Sequence, residues 1–284
     1  MRFYRERRGG ARVHGITGLC LGGEPCIMGG VKVVAIANQK GGVGKTSTAV
    51  NLSAALAQRG KKVLLIDVDS QANASSALGI FAESEQSLYQ CLIGEKTLQE
   101  LIIPAKRRNL SIVPSHMDLS GVEVELTRSG NHSACMRDAL EPLRRSNRFE
   151  YVILDTPPSL GVLMTASLCA ADEVLTPLQC EFLSMEGLSR ILYVIEQIRE
   201  SGINPNLRHE GVLMTMYNNT NLANQVVAQV RQNLPDKLYT TVIPRAVRVA
   251  EAPSFGRTVL EHDPHGLAAQ AYRDVAGEFL RRHK

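Results

Sequence analysis

The residues best suited to chemistry lie in one short segment, residues 40–46, which reads KGGVGKT. Closely spaced glycines allow backbone N–H groups to surround phosphate oxygens, and the start of a helix adds positive potential there. In such a loop the last lysine, Lys45, reaches the β- and γ-phosphates of a nucleotide, and the Thr46 hydroxyl ligates Mg²⁺. The usual spacing G-x-x-x-x-G-K-[ST] would place its first glycine at Gln39, and here a second lysine, Lys40, precedes the glycines. The segment therefore predicts a phosphate-binding loop of an unusual type.

Three acidic residues at the ends of apolar runs could serve Mg²⁺ and water beside this loop. Residues 62–69 read KVLLIDVD and carry Asp67 and Asp69, and residues 151–158 read YVILDTPP and carry Asp155. Alternate residues of a strand point to the same side, which would place Asp67 and Asp69 together. An Asp that ends a buried strand beside a phosphate loop orders Mg²⁺ through water. We therefore expect the three carboxylates to converge on the loop from neighbouring strand ends.

These residues need alternating strands and helices to position them, and the hydrophobic pattern predicts such an alternation. Residues 31–37 form a near-continuous apolar run, typical of a strand buried on both faces of a parallel sheet. A helical pattern follows from Thr46 to Gly60, and the alternation continues to a last strand at residues 238–244 and a final helix at residues 266–282. The predicted fold class is α/β, with a doubly wound, mostly parallel sheet and helices on both faces. We expect residues 31–284 to form a single domain.

The first 30 residues differ from the rest of the chain in composition. Their five arginines and two glutamates give a net charge of +3, which leaves +1 of the total charge of +4 for the remaining residues. This segment is interpreted as a disordered basic tail, or as the result of a misassigned start, since Met28 stands just before the first predicted strand. Because the rest of the chain is nearly neutral, a DNA-binding surface would have to be a local basic patch.

Composition also argues against several other classes of protein. The six cysteines are scattered with no C-x-x-C pair, which disfavours zinc ribbons and redox dithiols. No apolar run approaches the roughly 20 residues that a membrane-spanning helix needs. Tryptophan is absent and aromatic residues make up 5% of the chain, which argues against a surface that stacks on bases.

Taken in order, several segments resemble the ParA/Soj family of chromosome- and plasmid-partitioning ATPases, to which the MinD-like ATPases are related. They are KGGVGKT, the "deviant" Walker A signature of P-loop NTPases; DVDSQ; LDTPP; PLQCE at residues 177–181; and IPR followed by EAPS near residues 243–254. The resemblance runs from about Val31 onward. One departure from the family pattern is Ser70, which stands where the family usually has a proline.

The resemblance implies roles for individual residues. Lys40 would reach across a nucleotide-sandwich dimer to the partner's ATP, Asp69 would position the attacking water, and Asp67 would assist the Mg²⁺ shell together with Thr46 and Asp155. Lys40, Lys45 and Asp69 are thus the expected catalytic residues. The expected ATP contacts are Lys40, Gly41, Gly42, Val43, Gly44, Lys45, Thr46, Ser47, Met216, Pro244 and Arg245.

The same resemblance implies a function. An ATP-bound homodimer would bind DNA without sequence preference and would hydrolyse ATP, with Mg²⁺, when a ParB-type centromere-binding protein stimulates it. Arg245, Arg248 and Arg257 are the expected DNA contacts. The protein would be cytoplasmic and associated with the nucleoid, without stable membrane association.

Three alternatives remain open from the sequence. A MinD-like ATPase positioned on a membrane surface would need an amphipathic lipid-binding helix beyond the core, whereas the final predicted helix has the pattern of one that docks on the sheet. An iron–sulfur carrier would need paired cysteines that bridge a dimer. A module that binds ATP without hydrolysing it would require Asp67, Asp69 and Asp155 to be misplaced.

Overall fold

The sheet that carries the loop has seven strands, in the order β3-β4-β2-β5-β1-β6-β7. This computed structural model describes residues 30–129, 133–181 and 184–284. Five of the six neighbouring strand pairs are parallel, and the edge pair of β3 and β4 is antiparallel. The strands are β1 (Lys32–Ile36), β2 (Val63–Asp67), β3 (Ile103–Pro104), β4 (Leu110–Val113), β5 (Tyr151–Asp155), β6 (Glu173–Gln179) and β7 (Arg208–Thr215).

Helices connect the parallel strands and cover the sheet. The described α-helices are α1 (Lys45–Gln58), α2 (Asn73–Ala77), α3 (Leu88–Leu92), α4 (Leu98–Leu101), α5 (Leu119–Ser129), α6 (Cys135–Ser146), α7 (Val162–Ala170), α8 (Ser184–Glu200), α9 (Asn221–Asn233), α10 (Val247–Glu251), α11 (Val259–His262) and α12 (Leu267–Arg282). Short 3₁₀ turns occur at Ser84–Gln86 and Ala252–Phe255.

Each face of the sheet packs into its own hydrophobic core. In β1, Val33 and Ala35 join the cluster that contains residues of α5 to α9, whereas Val34 and Ile36 join the cluster formed with α1 and α12. All four side chains are fully buried, as expected for a strand covered on both faces. The predicted fold class, a doubly wound and mostly parallel sheet with helices on both faces, is confirmed.

The prediction of a last strand at residues 238–244 is wrong. The segment makes only isolated bridges to β7 at Leu238 and, beyond the strand end, to Tyr217 at Pro244. Between them the backbone N–H groups of Thr240 and Thr241 donate to the carboxylate of Glu278 in α12, at 2.7 and 3.0 Å. The Glu278 side chain of the final helix thus accepts backbone hydrogen bonds in the middle of the segment, where a strand would continue its pairing with β7. The apolar pattern of the segment does not reveal this contact.

The final helix docks on the core, as its pattern indicated. Tyr272, Val275 and Phe279 of α12 are fully buried in the cluster formed with α1. Leu267, which the helical pattern placed on the same face, is instead 82% exposed at the first turn. Among the described residues, no helix has the length and the apolar character that crossing a membrane requires. The predicted tail at residues 1–30 lies, apart from Gly30, outside the described residues.

An ion pair ties the last turn of the chain to the start of β6. The imidazole of His283 is hydrogen-bonded to the Glu173 carboxylate, and both side chains are over 90% buried. Burial alone would raise the pKa of Glu173, but the hydrogen bond and charge of His283, with Lys32, lower that pKa to about 2. Burial would lower the pKa of His283, but the bond to Glu173 and the Phe279 carbonyl raise it.

The ion pair of His283 with Glu173 makes the free energy of unfolding depend on pH. Glu173 contributes above its ordinary pKa of 4.5 and loses the contribution as the pH falls towards 2, whereas His283 contributes below 6.5 and loses its share above that pH. We expect His283→Gln to lower the free energy of unfolding by about 1–2 kcal/mol between pH 4.5 and 6.5, and by less at pH 9. Urea unfolding at pH 5.5 and pH 9 measures the difference. The exposed His265, changed to Gln, is the control, and an equal loss for His283→Gln at both pH values would contradict the assignment.

Candidate nucleotide-binding site

The glycine-rich loop spans residues 37–44, between the end of β1 and the first residue of α1. Gly42 and Gly44 have φ angles of 75° and 87°, in the left-handed region where a side chain is strained. Gly44 is also the N-cap of α1, and its carbonyl accepts the first helical hydrogen bond from Thr48 at 2.9 Å. These two glycines therefore turn the chain so that the loop amides and the positive end of α1 face the same space.

Two side chains from neighbouring strands hold this loop. The Thr215 hydroxyl, at the end of β7, donates to the Val43 carbonyl at 2.8 Å. The Asn38 amide donates to the Pro177 carbonyl of β6 at 2.8 Å, and its oxygen accepts from the Lys40 N–H at 3.0 Å. Sequence reasoning missed both residues. The sequence does contain a signal for each of them, since Asn38 and Thr215 are single polar residues at the end of an apolar strand pattern.

Lys45 is buried beneath the loop, with its ammonium group donating to the Lys40 carbonyl at 3.1 Å. Burial lowers the pKa of Lys45, and the charges of Asp155 and Asp69 oppose that shift. The ammonium group therefore lies within electrostatic reach of two of the predicted acids, and its only hydrogen bond within the described residues is to a neutral oxygen of the loop. A phosphate would offer it a stronger, charge-assisted partner.

Asp67 ends β2 and is fully buried. One of its oxygens accepts from the Ser75 N–H at 2.8 Å and from the Ser75 hydroxyl at 2.7 Å. Burial raises the pKa of Asp67 to about 6, although the Ser75 hydrogen bonds favour its charged form. Ser75 in α2 was not singled out by sequence reasoning, because a serine inside a short helix carries no specific signal.

Asp69 lies beyond the end of β2, so the period-two argument for a strand does not apply to it. Strand β2 ends at Asp67, and the Asp69 N–H instead donates to the other Asp67 oxygen at 3.3 Å. The Asp69 carboxylate accepts from the Gln71 N–H at 3.0 Å, and its residue is 8% exposed. The turn still brings the two acids together, but through a local hydrogen bond and not through the pleat of a strand.

Asp155 is the most unusual group in the site. It lies opposite Asp67 in the pairing of β2 with β5 and is fully buried, yet neither carboxylate oxygen has a hydrogen-bond partner of good geometry in the described part of the chain. Burial, followed by the charge of Asp67, raises its pKa well above the ordinary value, and the nearby Thr46 hydroxyl and Lys45 oppose this shift. A buried carboxylate without a partner is costly unless a cation or a donor satisfies it.

These groups fit a magnesium ion that is shared with a nucleotide. Among the described residues, no three or more His, Cys, Asp or Glu side chains form a metal-binding cluster by themselves. Mg²⁺ is usually held by one or two carboxylates with waters and substrate phosphates, so a complete protein cage is not required. Asp155, with its two unpartnered oxygens, and the adjacent Thr46 hydroxyl are the groups best placed to take part.

Lys40, the extra lysine of the loop, is bound to its own chain. Its ammonium group pairs with the Glu181 carboxylate at 2.6 Å, and both side chains are partly exposed. Glu181 is the last residue of the PLQCE segment and lies two residues beyond the end of β6. An exposed pair of this kind contributes about 0–1 kcal/mol, so another anion can replace Glu181 at little cost.

The remaining expected ATP contacts meet at the end of β7. Met216 directly follows the strand and has a φ of 52°, and Tyr217 then bridges to Pro244. The Arg245 N–H donates to the Tyr217 carbonyl at 2.9 Å. These hydrogen bonds bring Pro244 and Arg245 to the turn that contains Met216, at the end of the strand whose Thr215 holds the loop.

The three expected DNA contacts are all exposed but differ in surroundings. Arg248 pairs with Glu251 one helical turn away, at 2.8 Å. Arg257 lines a cavity of about 240 Å³ together with Thr46 and Ser47, beside the first turn of α1. Arg257 therefore lies next to the nucleotide loop.

Comparison with known proteins identifies the family. A family model described as an AAA domain matches residues 31–209. The chain is 47% identical over 256 residues to the chromosome partitioning protein ParA of Caulobacter vibrioides, which covers 89% of this chain and 96% of that protein. It is 43% identical to the sporulation initiation inhibitor protein Soj of Bacillus subtilis, with 87% and 97% covered.

The chain belongs to the ParA/Soj family of chromosome-partitioning ATPases. The fold is also similar to a solved structure of cobyrinic acid a,c-diamide synthase from Mycobacterium smegmatis with bound ATP analogue and magnesium. The TM-score is 0.79 at 32% identity, with 89% of this chain and 96% of that chain covered. The family that the loop and strand-end motifs indicated is thus confirmed.

The hydrogen bond from Thr215 to the loop gives a direct test of how the site is held. We expect Thr215→Val, which keeps the side-chain shape but removes the donor, to weaken ATP binding about three- to tenfold, because the Val43 carbonyl loses its partner and the loop its anchor. Titration with a fluorescent ATP analogue measures the affinity. Thr176→Val is the matched control, since Thr176 is equally buried in β6 but contacts His209 instead of the loop. Equal affinities of the two variants would contradict the anchoring role.

Proposed function

We propose that this protein is an ATP-dependent DNA-partitioning ATPase. Its ATP-bound homodimer binds DNA without sequence preference and hydrolyses ATP when a ParB-type partner stimulates it. The observation that carries the proposal is the meeting of a deviant phosphate loop, a buried lysine and an unpartnered buried aspartate at one sheet edge, in a chain of the ParA/Soj family. The functional unit is residues 31–284, and the protein acts in the cytoplasm on the nucleoid.

The loop and its helix bind the phosphates of ATP. Gly41, Gly42, Val43 and Gly44 present the backbone N–H groups, Lys45 exchanges the Lys40 carbonyl for a phosphate oxygen, and Ser47 lies in the first turn of α1. Mg²⁺, held through Thr46 and Asp155 with Asp67 beside them, neutralises charge on the phosphates. Met216, Pro244 and Arg245 border the remainder of the nucleotide.

Asp69 is suited to orient the attacking water. It is close enough to Lys45 and Asp155 to change their pKa values, and one of its oxygens is fixed by the Gln71 N–H. A carboxylate held in this way can accept a hydrogen bond from water without moving at the moment of reaction. Lys45 stabilises the charge on the transferred phosphoryl group.

Lys40 makes hydrolysis depend on a second copy of the chain. In the single chain its ammonium group is paired with Glu181, an acid that lies outside the nucleotide loop. We infer that dimerisation with ATP exchanges Glu181 for a phosphate of the partner's nucleotide. The ATP state then stabilises the dimer, and the dimer is the form that binds DNA through Arg245, Arg248 and Arg257. The membrane-surface alternative gains no support from α12, whose Tyr272, Val275 and Phe279 side chains are buried in the core.

The test is binding to a non-specific DNA duplex as a function of salt, with ATP, with ADP and without nucleotide. We expect salt-sensitive binding that ATP strengthens. Lys40→Ala should abolish this gain, because the cross-dimer lysine is lost. Asp69→Ala should bind DNA with ATP as strongly as the wild type, or for longer, because the nucleotide binds but is not hydrolysed.

Glu181→Gln is the matched control for Lys40→Ala. It breaks the same ion pair but leaves the lysine, so ATP-dependent DNA binding should persist. The proposal fails if ATP does not strengthen DNA binding of the wild-type protein, or if Glu181→Gln and Lys40→Ala behave alike.

A further inference from the structure

A basic groove lies at the sheet edge opposite the nucleotide loop. It has a volume of about 540 Å³ and contains five cationic side chains and no acidic one among its lining residues. This basic groove is defined by Lys62, Lys106, Arg107, Arg108 and Arg148. The nucleotide site occupies the carboxyl ends of the strands, whereas these residues stand before the amino ends of β2, β4 and β5.

The fold places these cations on three adjacent strands. Lys62 directly precedes β2, Arg148 stands three residues before β5, and Lys106 to Arg108 form the turn of the β3–β4 hairpin. Because β4, β2 and β5 are neighbours in the sheet and strands lie about 4.8 Å apart, the row of cations spans about 10 Å. A second cavity of about 610 Å³ on the other side of the hairpin turn shares Lys62, Arg107 and Arg108.

In the part of the chain that the structure describes, one of the five groove cations forms an ion pair with an acid. The Arg107 guanidinium donates to Glu261 of α11 at 2.7 Å and to the Gly256 carbonyl at 3.3 Å. These two bonds hold the hairpin turn against α11 and the 3₁₀ turn that precedes it. The nearby Glu150 is already bound by Lys61 and by the Lys62 N–H. Lys62, Lys106, Arg108 and Arg148 are exposed and form no ion pair within the described residues.

This local excess of charge does not follow from the overall composition. Residues 30–284 carry a net charge of +1, since the first 29 residues account for +3 of the total of +4. Four unpaired cations therefore repel one another on one edge, while the other residues of the range 30–284 carry a net charge of −3. A polyanionic ligand would relieve that repulsion.

The chemistry of the groove favours a phosphate backbone over a lipid surface. None of the large exposed apolar side chains of the described residues lines it, so there is nothing to insert into acyl chains. One DNA strand carries a phosphate about every 3.4 Å along the helix axis, so a row of about 10 Å faces about three phosphates of one strand. We propose that the basic groove binds the phosphate backbone of duplex DNA, as a second contact that does not require nucleotide.

This inference rests on the proposed function in its choice of DNA as the polyanion, but its test is separate. The groove variant carries Lys62→Gln, Lys106→Gln, Arg108→Gln and Arg148→Gln. The matched control loses the same charge at four exposed cations outside the groove, with Arg231→Gln, Lys237→Gln, Arg281→Gln and Lys284→Gln. All eight side chains are exposed and lack ion pairs within the described residues, so both variants should fold, and both keep the arginines of residues 1–29.

The measurement is binding of the full chain to a random 30-base-pair duplex from 50 to 300 mM salt, with and without ATP. We expect the groove variant to bind at least about tenfold more weakly without nucleotide than the control. The slope of log K against log salt should become shallower by about 3, as the loss of about three phosphate contacts requires. Vesicles of phosphatidylglycerol serve as the second probe and should show no difference between the variants.

The outcomes separate this inference from the proposed function. If the groove variant and the control have the same salt slope while ATP still strengthens binding, the groove proposal is overturned and the proposed function stands. If DNA binding is independent of ATP but lost in the groove variant, the groove is supported and the proposed switch fails. A loss of vesicle binding with an unchanged DNA slope overturns the proposal in favour of anionic lipid.

Discussion

Two carboxylates buried side by side, with too few partners, form the constraint on which the rest of this structure depends. Asp67 and Asp155 lie opposite each other on adjacent strands, and burial raises the pKa of both. Ser75 satisfies the first, whereas the second has no hydrogen-bond partner of good geometry in the described residues. A sheet edge of this kind is stable and useful when a cation completes it. The glycine loop, the N-terminus of α1 and Lys45 supply the matching positive charge on the other side of the phosphates.

The elements around this edge are arranged to keep it open. Hydrogen bonds of Thr215 and Asn38 tie the loop to β7 and β6. Lys40 is held away from the loop by Glu181 through an exposed and weak ion pair. The proposed switch requires a formed nucleotide site and a lysine that can exchange partners, and the anchored loop and the weak ion pair of Lys40 are consistent with both.

Much of the fold could be predicted because local sequence patterns, such as apolar runs and glycine turns, match the strands and helices that form. The buried strands at the loop and at Asp155 each combine an apolar run with a chemical motif, and they were found within a few residues of their observed ends. The carboxyl ends of parallel strands share an edge, so the meeting of Lys45, Asp69 and Asp155 followed from topology alone.

The errors arose where a distant residue decides the local structure. The segment at residues 238–244 has a strand pattern, but Glu278, some 40 residues later, takes its backbone donors. Thr215 holds the site through one hydrogen bond and Ser75 through two, and no spacing rule reveals them. The basic groove combines residues from three separate stretches, so its charge is visible only after the strands are ordered in the sheet.

The central claim is that Asp155 and the loop form one site for Mg²⁺ and nucleotide, and calorimetry of ATP binding with and without Mg²⁺ tests it most directly. Wild type should bind ATP at least about tenfold more tightly with Mg²⁺. Asp155→Asn should lose most of that gain while keeping its affinity without Mg²⁺, because it removes a buried charge and preserves the side-chain shape. Asp274→Asn, at an exposed position in α12, should behave as wild type. A full Mg²⁺ effect in Asp155→Asn would contradict the account.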